Sequence, residues 1–361
     1  MKGRLSFIVL LALVTLSTFG QENYTFTEAS DLTLIGQLFS NNPNPYHRVD
    51  TIRFKGFTQS ENYQVRMPVG MVCAFRTNSK NITVKTLYGQ TSFPTFTLGA
   101  AARGYDLYIR KDGCWVWAGN GLATDKTLSG NVVLVADMDG TEHECLLYLP
   151  IHSEVRSVQV GVLEGASIEP MENPFRHRIV FFGSSFTHGI STSRTAMNYP
   201  KQLERATGLH ILNLGCSGNC KLQPYFCDVL CAAEADAFVF DSFSNPSIKE
   251  IEERLFPFIE KLQKAHPGKP LIFQRTIYRE RRNFNQKVEQ NERSRQEFAD
   301  KMMKEACKRY KDVYYIETTN ATSPTHETSV DGTHPGDYGY TLWAESLRKP
   351  LLKILRKYGI K

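Results

Sequence analysis

Two patterns of apolar and polar residues divide the chain. Between residues 21 and 150 the apolar residues fall in short runs with many β-branched and aromatic members, at 65–72, 82–87, 93–98, 107–109, 132–136 and 145–148. Turn-forming clusters punctuate them: Asn41-Asn42-Pro43-Asn44-Pro45, Asp112-Gly113 and Asp139-Gly140. Short strands at this spacing, with little helical periodicity, predict a β-sandwich or jelly roll. Asp139-Gly140, lying between apolar runs at 132–138 and 142–149, predicts a hairpin. Residues 155–163 read as the last strand of this half, and 165–176, with Pro170 and Pro174, as a linker.

Beyond His177 the pattern changes to alternating strands and helices. Strands are predicted at 179–182, 210–214, 237–243, 271–274 and 313–316, and helices at 199–207, 222–233, 247–266, 282–310 and 338–358. This order predicts a flavodoxin-like, doubly wound parallel sheet. Its first strand, Ile179-Val180-Phe181-Phe182, is apolar without alternation, as a strand covered on both faces requires. The helix predicted from Arg282 is heavily charged, with Phe298, Met302 and Ala306 at spacing four, so it presents one buried stripe and a solvated face.

Composition adds an address and removes some classes of function. Lys2 and Arg4 precede an apolar stretch from Leu5 to Leu16, and Thr18 and Gly20 supply small residues before Gln21. That is the pattern of a cleavable signal peptide, too short to span a bilayer, and it predicts a periplasmic or secreted protein. The expected organisation is a signal peptide at 1–20, a β-sandwich at 21–164, a linker at 165–176 and an α/β domain at 177–361. The formal net charge of +6 is spread among acidic residues, so no nucleic-acid footprint is present. Eight cysteines in 361 residues do not define a disulfide framework. Cys220, Cys227 and Cys231 share one helical face and read as buried thiols, with a bridge from Cys216 to Cys220 or Cys231 as the alternative; no metal set with zinc spacing is seen.

The chemistry gathers at the predicted strand ends, where open α/β sheets build their sites. Gly183-Ser184-Ser185 follows the first strand; it suits a helix cap, and it suits a nucleophile. A serine hydroxyl needs a base, and the base needs an acid to orient it. Asp331-Gly332-Thr333-His334 offers both in one turn, with Pro335 suited to start the following helix. Oxyanion donors are expected from Ser185 N–H, from Gly218 after the second strand, with Gly215 the alternative, and from the Asn245 side chain after the third. Asp241 is an alternative carboxylate, and His188 is a candidate to line the pocket. Trp115 and Trp117 read as core residues of the sandwich before they read as a sugar platform.

Ser185, Gly218, Asn245 and Asp331-x-x-His334, in that order at four strand ends, resemble the blocks of the SGNH (GDSL-type) hydrolases. Gly104-Tyr105-Asp106-Leu107-Tyr108 resembles the GxDLY motif of a subgroup that carries an N-terminal β-sandwich, which extends the likeness to both halves. Two departures stand out: Ser184 occupies the place where the family more often has an acid, and the third block reads Ser242-Phe243-Ser244-Asn245-Pro246. The resemblance implies a serine esterase without cofactor or metal, acting through an acyl-enzyme on short acyl esters, acetyl on carbohydrate first. Lipid or peptidoglycan esters, or a carbohydrate-binding protein with weakened catalysis, are the alternatives.

Overall fold

The strand Arg176–Gly183 lies inside a five-stranded parallel sheet, flanked by Leu209–Gly215 on one side and Ala237–Asp241 on the other. Leu271–Gln274 and Val313–Ile316 continue the sheet outward. In order of appearance the strands run 2-1-3-4-5, the flavodoxin-like arrangement, with the topological switch point beside the first strand. This is a computed structural model, and it describes residues 23–122, 130–318 and 321–361; the predicted signal peptide lies outside the described residues.

The unbroken apolar run is explained by a core on each face. Val180 and Phe182 pack on one side with Leu212, Phe238 and Phe240, while Ile179 and Phe181 pack on the other with Ile211, Val239 and Trp343. Helices Pro224–Ala232, Ile248–Ala265 and Gln286–Arg309 cover the first face, and Tyr199–Thr207 and Asp337–Leu355 the second. Their ends follow from local chemistry: Ser247 and Glu250 form a capping box, and Asn198 caps a helix with proline in its first turn. No described helix is long and apolar enough to cross a membrane.

The first half folds as two antiparallel sheets facing each other across Phe75, Ile82, Val84, Tyr105, Leu107, Leu147, Val158 and Val160. Four expectations are corrected here. Residues 65–72 are no strand, because Val65 ends the helix Gln59–Val65 and the strand begins only at Val72, after a turn at Pro68. Residues 93–98 form turns leading into the helix Gly99–Ala102. Asp139-Gly140 joins no hairpin: Val132–Val135 pairs with Ile82–Thr91 in one sheet, His143–Tyr148 with Val72–Thr77 and Gly104–Lys111 in the other. The turn therefore crosses between sheets, which local turn chemistry cannot distinguish from a hairpin. The linker contains a further strand, Ile168–Pro170, paired to Val72–Thr77.

Val72, Ala74, Leu146 and Tyr148, on the outer face of one sheet, pack on Met171, Phe175 and Ala196, so that face is buried instead of solvated. Asp106 of the Gly-Tyr-Asp-Leu-Tyr motif reaches into the second half, accepting from Ala196 N at 2.9 Å and Arg194 Nη1 at 3.0 Å. The two halves thus pack as one body around the loops that follow the switch point.

Candidate active site

Gly183 ends the first strand of the parallel sheet under close constraint: a Cβ there would meet Thr187 Oγ1 at 2.0 Å, so only glycine allows the chain to turn this tightly. Ser184 caps the one-turn helix Ser185–His188, accepting from Phe186 N at 3.2 Å. The side chain of Ser185 is thereby held at the carboxyl edge of the sheet. Its Oγ lies 2.8 Å from His334 Nε2, and His334 Nδ1 lies 2.8 Å from Asp331 Oδ2. Asp331 Oδ1 accepts from Thr333 N at 2.9 Å and His334 N at 2.7 Å, which ties His334 and Asp331 into one rigid turn.

This bonding sets the electrostatics. With Nδ1 donating to Asp331, Nε2 is left to accept the Ser185 proton. Burial pulls His334 below the ordinary histidine value; the Asp331 contact opposes this, and Arg279 and Arg281 reinforce it. Burial acts to raise Asp331, but hydrogen bonds from the His334 backbone and ring outweigh it and hold the carboxyl below its usual range. A neutral imidazole next to an ionised carboxylate can accept a proton and then bear the positive charge.

The other expected residues divide. Gly218 is exposed, at φ +72°, in the turn closed by Asn219 N donating to Cys216 O at 3.1 Å. Asn245 Oδ1 accepts from Cys220 N at 3.3 Å, which directs the amide nitrogen the other way. Gly215, the alternative to Gly218, is buried with its N–H given to Asn213 Oδ1 at 2.8 Å, so it is not free to donate. Asp241 does not touch His334. It accepts from Ser184 Oγ at 2.7 Å, Ser184 N at 3.2 Å and Thr187 Oγ1 at 3.1 Å, and burial pushes it up to about 6. It supports the serine turn from below. His188 is corrected: it is fully buried between the halves, bonded through Nε2 to Ile151 O at 2.6 Å and stacked on His152 at 4.5 Å. All eight cysteines are free thiols, and Cys227 and Cys231 meet with Sγ atoms 4.0 Å apart. Among the described residues no group of three or more histidine, cysteine, aspartate or glutamate side chains is placed to hold a metal ion. Trp117 is half exposed and donates to Asp106 at 3.3 Å, a rim position and not a core one.

Glu280 was not legible in the sequence. Its buried carboxylate accepts from Thr328 N at 2.6 Å, Thr328 Oγ1 at 2.7 Å, Ser329 N at 2.8 Å, Thr322 Oγ1 at 3.2 Å and Ser329 Oγ. Arg281 N donates to Gly332 O at 2.7 Å. Together they anchor the loop that carries Asp331 and His334. The only sequence signal is an acid inside Arg279-Glu280-Arg281-Arg282, which reads as an ordinary charged surface run.

Fold and site together define an α/β protein with serine, histidine and carboxylate hydrogen-bonded in line at the switch point of its sheet. The GDSL-like lipase/acylhydrolase family matches residues 176–352, and the N-terminal domain of SGNH-hydrolase-type esterases, GxDLY, matches residues 23–168. A structure from Bacteroides ovatus described as a GDSL-like lipase is 36% identical at a TM-score of 0.89, covering 92% of this chain and 98% of its own. The chain belongs to the SGNH (GDSL-like) esterase family. Two solved structures share the fold at lower identity. The salicylyl-acyltransferase SsfX3 of a tetracycline biosynthetic pathway is 17% identical at a TM-score of 0.69, covering 94% of this chain and 99% of its own. A family two carbohydrate esterase from Cellvibrio japonicus is 12% identical at 0.60, covering 93% and 99%. No curated protein matches the sequence.

Proposed function

We propose that this protein is an exported serine esterase that removes short acyl groups, acetyl above all, from a carbohydrate. The observation that carries the chemistry is the chain Ser185 Oγ, His334 Nε2, His334 Nδ1, Asp331 Oδ2, with both links at 2.8 Å. Ser185 Oγ attacks the ester carbonyl while His334 takes its proton. The carbonyl oxygen becomes an oxyanion, received by Ser185 N–H, Gly218 N–H and Asn245 Nδ2. As it collapses, the alkoxide leaves with the proton held by His334, and the acyl group remains on Ser185. Water, deprotonated by His334, then attacks the acyl-enzyme, and Ser185 regains its proton as the carboxylic acid leaves. Asp331 holds the ring in the required tautomer and stabilises the imidazolium. No step requires a metal or an organic cofactor.

The intact hydrogen-bonded chain favours catalysis over a binding-only role. Export rests on the basic and apolar N-terminal sequence. The carbohydrate class rests on export and on the fold shared with a carbohydrate esterase. The test is release of acetate from acetylated glycans and from nitrophenyl acetate by the mature protein. Full activity in Ser185→Ala would sink the nucleophile assignment. A rate that climbs from acetate to octanoate esters would move the substrate to lipids.

A further inference from the structure

The second active-site loop is gripped from the other half of the chain. Three alternate carbonyls, two at the end of the strand Leu209–Gly215 and one on the loop that follows it, accept from side chains of the first half. Arg48 Nη1 donates to Asn213 O at 3.0 Å and Gly215 O at 2.9 Å, and Gln64 Nε2 donates to Ser217 O at 3.0 Å. Arg48 is fully buried, and its remaining nitrogens go to Met67 O and Gln64 O, so it fixes the helix carrying Gln64 to the same strand end.

The third of these contacts bears on the chemistry. The Ser217 carbonyl and the Gly218 N–H belong to one peptide group, which is planar and trans, so they point in opposite directions. Gly218 has φ +72°, Ser217 is not among the positive-φ residues, and Asn219 N donates to Cys216 O. The turn is therefore type II, which a flip of the central peptide converts to type I. That flip would carry the Gly218 N–H to the opposite side. Two donors oppose it: Gln64 Nε2 from the first half, and Asn219 Nδ2 from the turn itself, at 2.8 Å from Ser217 O.

We propose that Gln64, a residue of the β-sandwich half, is a positioning residue that holds the Ser217–Gly218 peptide so that its N–H faces the developing oxyanion at Ser185. The first half thus completes the active site and does not only flank it. This rests on the reading of Ser185 as nucleophile and Gly218 as oxyanion donor.

Gln64→Glu is the first variant to measure. It keeps the shape of the side chain and replaces the amide donor with an acceptor facing the Ser217 carbonyl. The expected result on nitrophenyl acetate is a fall in kcat of about tenfold or more with KM nearly unchanged, because the donor acts on the transition state. Affinity for a boronic acid, which forms a tetrahedral adduct on the serine, should fall in parallel at a temperature well below the variant's own melting point, which the buried carboxylate lowers. Gln64→Lys, which restores a donor, should recover part of kcat. If Gln64→Glu does not fold, Asn219→Ala provides the same comparison through the other donor. Wild-type kcat in a folded Gln64→Glu overturns the proposal. So does a loss in which KM rises and boronate affinity stays unchanged. A wild-type enzyme that neither hydrolyses the ester nor takes up a fluorophosphonate at Ser185 would instead defeat the underlying reading, before any Gln64 variant is compared.

Discussion

Replacing Asp331 with asparagine separates the turn from the chemistry. Asp331 Oδ1 accepts the backbone N–H groups of Thr333 and His334, and an asparagine carbonyl can do the same. Only Oδ2, facing His334 Nδ1, changes, from an acceptor to an NH2 donor. Two donors cannot share that contact, so the ring takes the tautomer with its proton on Nε2 and can no longer accept from Ser185. Losing one neutral-to-charged hydrogen bond at a partly exposed site costs stability by about 1–2 kcal/mol. The wrong tautomer costs the rate far more, on the order of 10³–10⁴ in kcat, or about 4–5.5 kcal/mol of activation free energy. The assay is steady-state hydrolysis of nitrophenyl acetate beside a thermal melt of the same preparation. Asp331→Ala should lose the turn contacts as well and melt lower than Asp331→Asn. An Asp331→Asn protein that keeps more than about a tenth of wild-type kcat/KM would show that His334 is not oriented through Nδ1.

Other outcomes follow from the same geometry. Activity needs neutral His334, whose value burial depresses, so kcat/KM should rise with pH through an inflection below the ordinary histidine value of 6.5; an acid limb at or above 6.5 would contradict this. Glu280→Gln places an NH2 group among donors from Thr328 and Ser329; kcat should fall while hydrogen exchange at 328–335 accelerates, and unchanged exchange would remove Glu280 as the anchor of that loop. Asp106→Ala leaves Arg194, one-fifth exposed, without its carboxylate and the Ala196 N–H without its acceptor; a loss of about 1–3 kcal/mol is expected in denaturant unfolding, and none would mean this pair between the two halves is fully screened.

What could be read from the sequence was whatever depends on near neighbours. The short unbroken apolar runs and the stripes with period near four placed all five strands of the parallel sheet and its five covering helices within a few residues, because a strand covered on both faces and a helix covered on one each leave a distinct mark. Asp331 and His334 stood out as candidate acid and base because the four residues of one turn hold both. Ser185 stood out as the candidate nucleophile because it follows a strand, and the structure places it there, at the end of Arg176–Gly183.

Contacts between distant segments were not legible. Local turn chemistry gave Asp139-Gly140 the signature of a hairpin, and only the pairing of its flanking strands with other partners sends it between two sheets. His188 sits three residues from Ser185 in the chain, yet the one-turn helix aims it away from the cleft and into the seam with Ile151 and His152. Asp241, an alternative partner for the base in the sequence, packs beneath Ser184 and Thr187 because its strand lies beside Gly183. Arg48 and Gln64 carry no signal in their neighbours, and Glu280 only that of an acid in a charged run, since each binds backbone carbonyls or amides that come near only after the chain has folded. The chain by itself determined which chemistry is available; the packing of the two halves decided which groups face it.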